Sequence, residues 1–158
     1  QLAERRPRPR YLRSSLLAAA WRLGLPATVH VAIGTDVVHM HPACDPGALG
    51  RASHLDFRLF AAQVARLRGG VYLNVGSAVV LPEVFLKAVT LARNLGHRAF
   101  GFSTANLDFI QSYRPSQNVV ERPVAGGGRG YRLTGHHELL LPLLAAALVE
   151  RDSPRRRR

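Results

Sequence analysis

Cysteine, lysine, tryptophan and methionine each occur once in the 158 residues. The lone Cys44 excludes an internal disulfide and favours a reducing compartment. Lys87 is the single lysine beside twenty-one arginines, so imine chemistry on a lysine amine has one candidate, set inside a helical pattern. No G-x-G-x-x-G fingerprint and no G-x-S-x-G nucleophile elbow occurs, which leaves Ser77 without the signature of a hydrolase nucleophile. The longest apolar run, Leu139 to Val149, is too short to span a bilayer and contains Pro142. No apolar run long enough for a signal peptide follows the arginine-rich start. Together these absences lead to the expectation of a soluble, cytoplasmic protein with no membrane partner. A first residue of Gln instead of Met adds the expectation that the chain is a piece of something longer.

Acids are scarce as well: 10 Asp and Glu stand against 22 Lys and Arg, a formal net charge of +12. The excess is concentrated at the ends. Residues 1–14 and 151–158 read as two basic, disordered tails, and the stretch between them is only mildly positive. Such tails suit nonspecific contact with nucleic acid, and a noncatalytic basic module or an inactive fragment is the alternative to an enzyme.

Between the tails, the stretch Gly69 to Gly96 organises the pattern. GVYLNV reads as a buried strand covered on both faces. Pro82 and Glu83 suit the first turn of a following helix, and Asn94 and Gly96 its stop. Earlier, Ser14 or Ser15 caps a helix closed by Gly24, and ATVHVAIG (27–34) reads as a strand. A loop over 35–50 comes next, then a helix from Ser53 with Asp56 at a capping-box position. Later, HRAFGFSTAN gives a strand ending near Ser103 or Thr104, 107–130 an irregular connection, YRLTG a short strand, and ELLLPLLAAALVE a last helix. This alternation argues for an α/β fold: a three-layer, mostly parallel sheet with helices on both faces.

Three small polar turns follow the expected strands, at Gly34-Thr35-Asp36, Gly76-Ser77-Ala78 and Ser103-Thr104-Ala105-Asn106. Lined up on one sheet edge, they have the position of a nucleotide crevice; equally, Gly and Ser simply make tight turns. His39 and His41 stand two apart, and His136, His137 and Glu138 lie far along the chain. Their spacing matches no zinc motif, so a role in hydrogen bonding or proton transfer is favoured over a metal. Gly126-Gly127-Gly128-Arg129-Gly130 suits a mobile active-site loop, with a phosphate cradle or an RGG element as alternatives.

Several of these segments resemble the deoxyhypusine synthases and their bacterial relatives of unassigned activity. Ala32-Ile33-Gly34-Thr35-Asp36 is similar to that family's alanine-leucine-threonine-aspartate strand end, and Gly76-Ser77-Ala78-Val79-Val80 to its glycine triplet followed by two valines. Thr104-Ala105 with Asp108, and Leu141-Pro142-Leu143-Leu144, match in order and spacing. The resemblance covers about residues 15–150, the C-terminal part of the family. It implies a Rossmann-like fold that binds NAD, and a homo-oligomer, because the synthases work as tetramers with active sites between subunits. It also implies that Asp36, Gly76, Thr104, Ala105 and Asp108 contact cofactor or amine substrate; Asp36 is the candidate to hold a cationic amine or ribose, and Gly76 and Ser77 are the candidates for close backbone approach to the cofactor. His39 and His137 are the candidates for proton transfer. The family's carrier lysine, in a tryptophan-glycine-lysine context, has no counterpart at Asn118 to Val124. The expected activity is therefore an NAD-dependent transferase or oxidoreductase acting on an amine or related small metabolite, and not hypusine synthesis itself.

Overall fold

The computed structural model describes residues 10–152. The two basic tails lie outside these residues for the most part, and with them the expected nucleic-acid contact. Their inner ends are ordered into structure: Leu12–Ser14 form a 3-10 turn and the last helix reaches Asp152. The chain gathers into two compact units divided between Leu59 and Phe60.

In the first unit, α1 (Leu16–Leu23) starts where the Ser15 hydroxyl accepts the Ala18 N–H at 3.3 Å and stops at Gly24, whose φ is +64°. No strand forms over 27–34. A strand exists only where a neighbour completes its ladder, and the Val29 N–H donates instead to the Asp56 carboxylate at 2.8 Å. The expected loop over 35–50 holds a 3-10 turn, Val37–Met40, and the start of α2 (Pro46–Val64). The N-cap of α2 is Asp45, whose Oδ1 accepts the N–H groups of Gly47 at 2.8 Å and Ala48 at 3.1 Å. Pro46 fills the first helical position, where no N–H is missed. Ser53 is thus mid-helix, and the expected capping box is replaced by a start seven residues earlier.

The second unit holds a three-stranded parallel sheet in the order β1 (Val71–Val75), β2 (Ser103–Asp108), β3 (Arg129–Thr134). Val71 pairs with Ser103 and Ser103 with Arg129, and the register runs without a bulge to the strand ends. The crossover from β1 to β2 is α3 (Val80–Asn94). The second crossover corrects the irregular connection expected over 107–130: it is α4 (Tyr113–Pro115), a π-helical stretch Ser116–Glu121 and a 3-10 turn Arg122–Val124. Its prolines had signalled breaks, yet Pro115 and Pro123 sit in first turns, where proline costs no bond. β2 also begins later than expected, because Gly101 at φ +67° turns the chain just before it.

Both crossovers pack on one face of the sheet. Phe85 and Val89 of α3 and Val119 of the π-helical stretch are completely buried there. Tyr72 stacks on Phe85 with ring centroids 3.6 Å apart, and Phe85 meets Phe102 edge-on at 6.1 Å. Burial pushes the Tyr72 hydroxyl up to about 12, so the phenol stays neutral. The other face is covered in part: Ala105 and Leu107 of β2 are buried on it, where the last helix meets this strand, while Val71, Leu73, Val75, Tyr131 and Leu133 of the flanking strands are exposed. The last helix, α5 (His137–Asp152), leaves from the carboxyl end of β3 and has no buried residue.

The glycine run 126–130 lies at the amino end of β3, away from the strand ends that carry the polar turns. Its glycines serve close approach: a Cβ on Gly128 would sit 2.1 Å from the Phe102 carbonyl oxygen, and one on Gly130 only 1.9 Å from that of Val120. The Val120 oxygen cannot yield without breaking the packing of the second crossover. Gly130→Ala is therefore expected to cost about 3 kcal/mol or more, at or above the usual ceiling for overpacking. A thermal unfolding curve that matches wild type would refute the close approach.

Candidate functional site

The carboxyl ends of the three strands form the best-organised polar edge of the second unit. A chain of buried amides runs beneath it. Asn74 Nδ2 donates to Asn106 Oδ1 at 2.7 Å and to the Ser77 carbonyl at 2.9 Å, and Asn106 Nδ2 donates to Gln111 Oε1 at 2.8 Å. Gln111 Nε2 continues to the Leu133 carbonyl and the Thr134 hydroxyl, both at 3.3 Å. The chain thus ties β1, β2 and β3 together one residue or so below the edge. Asn74 Oδ1 is buried and has no hydrogen-bond partner.

Above this chain the β1 turn rises into α3. Gly76 has φ +67°, a left-handed conformation that suits glycine. The Leu107 carbonyl accepts the Gly76 N–H at 3.1 Å and contacts His137 Nε2 at 2.9 Å. A carbonyl only accepts, so Nε2 carries the hydrogen and Nδ1 is the acceptor of the neutral ring. A Cβ on Gly76 would lie 3.1 Å from His137 Cε1, so the glycine leaves room for the imidazole. The Ser77 hydroxyl accepts the Leu81 N–H of the first turn of α3 at 3.2 Å. On β2, Asp108 is buried; its Oδ1 accepts the Phe109 N–H at 2.8 Å and its carbonyl the Gly135 N–H at 3.2 Å. Phe109 in turn stacks on His136 with centroids 5.9 Å apart.

Gly76, Ser77, Asp108 and His137 are therefore gathered at one end of the sheet. Thr104 and Ala105 lie lower in β2: the Thr104 hydroxyl donates to the Val119 carbonyl at 2.8 Å, and Ala105 faces the opposite side. Asp36 and His39 belong to the first unit. There His39 Nδ1 accepts the N–H groups of Gly34 at 3.0 Å and Asp36 at 3.3 Å, while its Nε2 is buried without a partner. Two N–H donors on Nδ1 place the ring hydrogen on Nε2. Among the described residues no three His, Cys, Asp or Glu side chains gather as a metal site, and no helix is long and apolar enough to cross a membrane.

Beside the edge, Glu83 in the first turn of α3 accepts from Lys87 Nζ at 2.5 Å and from Asn118 Nδ2 at 2.8 Å, with Arg114 Nε at 3.6 Å. The Lys87 hydrogen bond foremost, helped by both cations and Asn118, holds its carboxyl below the usual range. Sequence reading passed over Asn74, Gln111 and Asn118, and placed Asn106 in a polar turn instead of the strand interior where it lies. The signal available was the inversion of pattern in STANLD, where polar residues occupy alternate positions of a strand and must find partners inside.

No family model, curated protein or solved structure matches this chain.

Replacing Asn106 with leucine keeps the shape and removes the middle of the amide chain. The expected cost is about 1–3 kcal/mol for each amide left unpaired. Asn74→Val added to Asn106→Leu should recover part of that loss, because both partners of the bond are then apolar. Chemical denaturation reads both outcomes; a double variant less stable than the sum of the singles would contradict a mutual bond.

Proposed function

We propose that the second unit is the nucleotide-binding part of a Rossmann-like, deoxyhypusine synthase-like protein that takes NAD at the carboxyl edge of its sheet. The reaction class that goes with it is an NAD-dependent transferase or oxidoreductase acting on an amine or a related small metabolite. One observation carries the reading: the Leu107 carbonyl draws Gly76 and His137 together where a glycine turn opens into a fifteen-residue helix. Turns of that kind in parallel sheets approach pyrophosphate closely, because no side chain intervenes and the helix dipole favours negative charge.

The place this reading gives to NAD is the Gly76 turn, where the missing Cβ leaves room for the His137 imidazole. NAD, when bound, supplies a hydride acceptor. The chain's own residues divide the remaining work. Gly76 and Ser77 bring backbone to the cofactor, with the Ser77 hydroxyl held by the Leu81 N–H in the first turn of α3. Asp108 offers a carboxylate to a ribose hydroxyl or an ammonium, and His137 holds a proton acceptor at Nδ1 while Nε2 stays fixed on Leu107. Lys87 takes no part: its ammonium is ion-paired with Glu83 on an exposed helix surface, whereas an imine carrier needs a free amine. Thr104, Ala105 and Asp36 enter this reading through the resemblance, and His39 through its residue type alone.

Saturating NAD should raise the unfolding midpoint. A ligand at 100 times its dissociation constant adds about 2.7 kcal/mol, worth several degrees in a domain of this size. Gly76→Val, which places a branched side chain against His137, should abolish the rise. Cooperative unfolding at an unchanged midpoint with NAD present would overturn the proposal.

A further inference from the structure

The run Gly126-Gly127-Gly128-Arg129-Gly130 has no part in the carboxyl edge. It lies at the opposite end of the sheet, where three loops enter the strands: 65–70 before β1, 95–102 before β2 and 125–128 before β3. These loops are fastened to one another. The Gly101 carbonyl accepts the Gly69 N–H at 3.2 Å and the Gly70 carbonyl the Ser103 N–H at 3.0 Å, while a Cβ on Gly101 would lie 3.9 Å from the Gly127 oxygen. The charge they carry is of one sign. Arg66, Arg68, Arg98 and Arg129, at the start of β3, are exposed, and no Asp or Glu occurs in the three loops. Among the described residues the ion pairs use Arg51, Lys87, Arg114 and Arg132, so no carboxylate neutralises any of these four.

An aromatic ring stands among them. Phe100 is 41% exposed, and the Arg93 guanidinium lies over its ring, 4.2 Å from the centroid. Arg93 is itself held in place, its Nε donating to the Ala99 carbonyl at 3.0 Å and a terminal nitrogen to that of Pro123 at 2.5 Å. Gly126 gives the ring its room, since a Cβ there would lie 2.7 Å from it. The negative end of the α3 dipole also points to this end of the sheet. Arg93, at the foot of that helix, is occupied within the fold, which leaves the other four arginines to meet a partner.

We propose that this amino end of the sheet docks single-stranded nucleic acid, with the arginines on its phosphates and a base on the Phe100 ring. Three neighbouring strand ends span about 10 Å, so the topology delivers one arginine from each entry, Arg68, Arg98 and Arg129, to one narrow surface. Clustered charge of one sign raises the local potential and draws a polyanion. A base stacked on an aromatic ring with a cation beside it is the sequence-tolerant part of single-strand recognition. A duplex, whose bases already stack on each other, offers Phe100 no such contact. The surface is built by folded loops and not by the arginine-rich ends of the chain. It also lies away from the edge proposed for NAD, so either reading can fail without the other.

Fluorescence anisotropy of a labelled oligothymidylate of about twelve nucleotides, titrated with the whole chain, tests the surface. Both arginine-rich ends stay in every variant, so their contribution cancels. Arg68→Gln, Arg98→Gln and Arg129→Gln together should weaken binding about tenfold or more near physiological salt. They should also flatten the slope of log K against log salt by about 2, at roughly 0.7 for each phosphate contact. The same change at Arg22, Arg51 and Arg58 removes equal charge from the first unit and should alter both readings far less. Phe100→Leu should weaken single-strand binding about tenfold and leave a duplex of the same length bound as before. The arginine triple touches exposed side chains only, so it keeps the test decisive if the Phe100 variant unfolds. Equal losses from the two triples, an unchanged salt slope, or a loss seen on phosphatidylserine vesicles with oligonucleotide binding intact would each overturn the proposal.

Discussion

The hydrogen bond between Asn74 and Asn106 is the constraint on which the second unit turns. Both residues sit in strand interiors, 2% and 0% exposed, in places where an apolar residue would pack without obligations. Once buried, each amide must find partners or cost the unit its stability. The pairing of Asn74 with Asn106 is also the register pairing of β1 with β2. A slip by one residue would strand both amides, so the bond fixes alignment as well as adding energy. Gln111 extends the same logic to β3 and anchors the start of the second crossover.

From that alignment the edge follows. With β1 and β2 in register, the Leu107 carbonyl lies where the Gly76 N–H and the His137 ring both reach it. Three segments separated by tens of residues thereby meet around one oxygen. The crossovers contribute by lying on a single face, which requires β3 to pass within contact of the Val120 backbone and so requires Gly130. The consequence is an uneven unit, packed with aromatic rings on one side and covered on the other mainly over the central strand, at Ala105 and Leu107.

Periodicity made α1, β1, α3 and α5 legible in the sequence, because each combines a cap or a glycine stop with an unbroken apolar rhythm. It misled wherever tertiary context overrode local pattern. Residues 27–34 have a strand's composition but no ladder partner, and composition cannot supply one. Residues 113–124 contain two prolines and read as loop, although both prolines fall where a helical turn tolerates them. STANLD buries its polar side, the reverse of the usual alternation, so its partners become visible only in three dimensions. Of the candidate site, the turn at Gly76 and the histidine at 137 could be singled out beforehand; that one carbonyl joins them could not, since Leu107 contributes a backbone atom with no mark in the sequence.

The account's central claim is that ligand chemistry resides at this carboxyl edge and is held there by the amide chain. The most direct measurement is the backbone amide spectrum of the labelled protein during an NAD titration. The account predicts saturable shifts at Gly76, Ser77, Phe109 and Gly135, with the amino-end glycines 126–128 unmoved. Saturable shifts confined to other segments, or none at millimolar NAD in a folded sample, would contradict it.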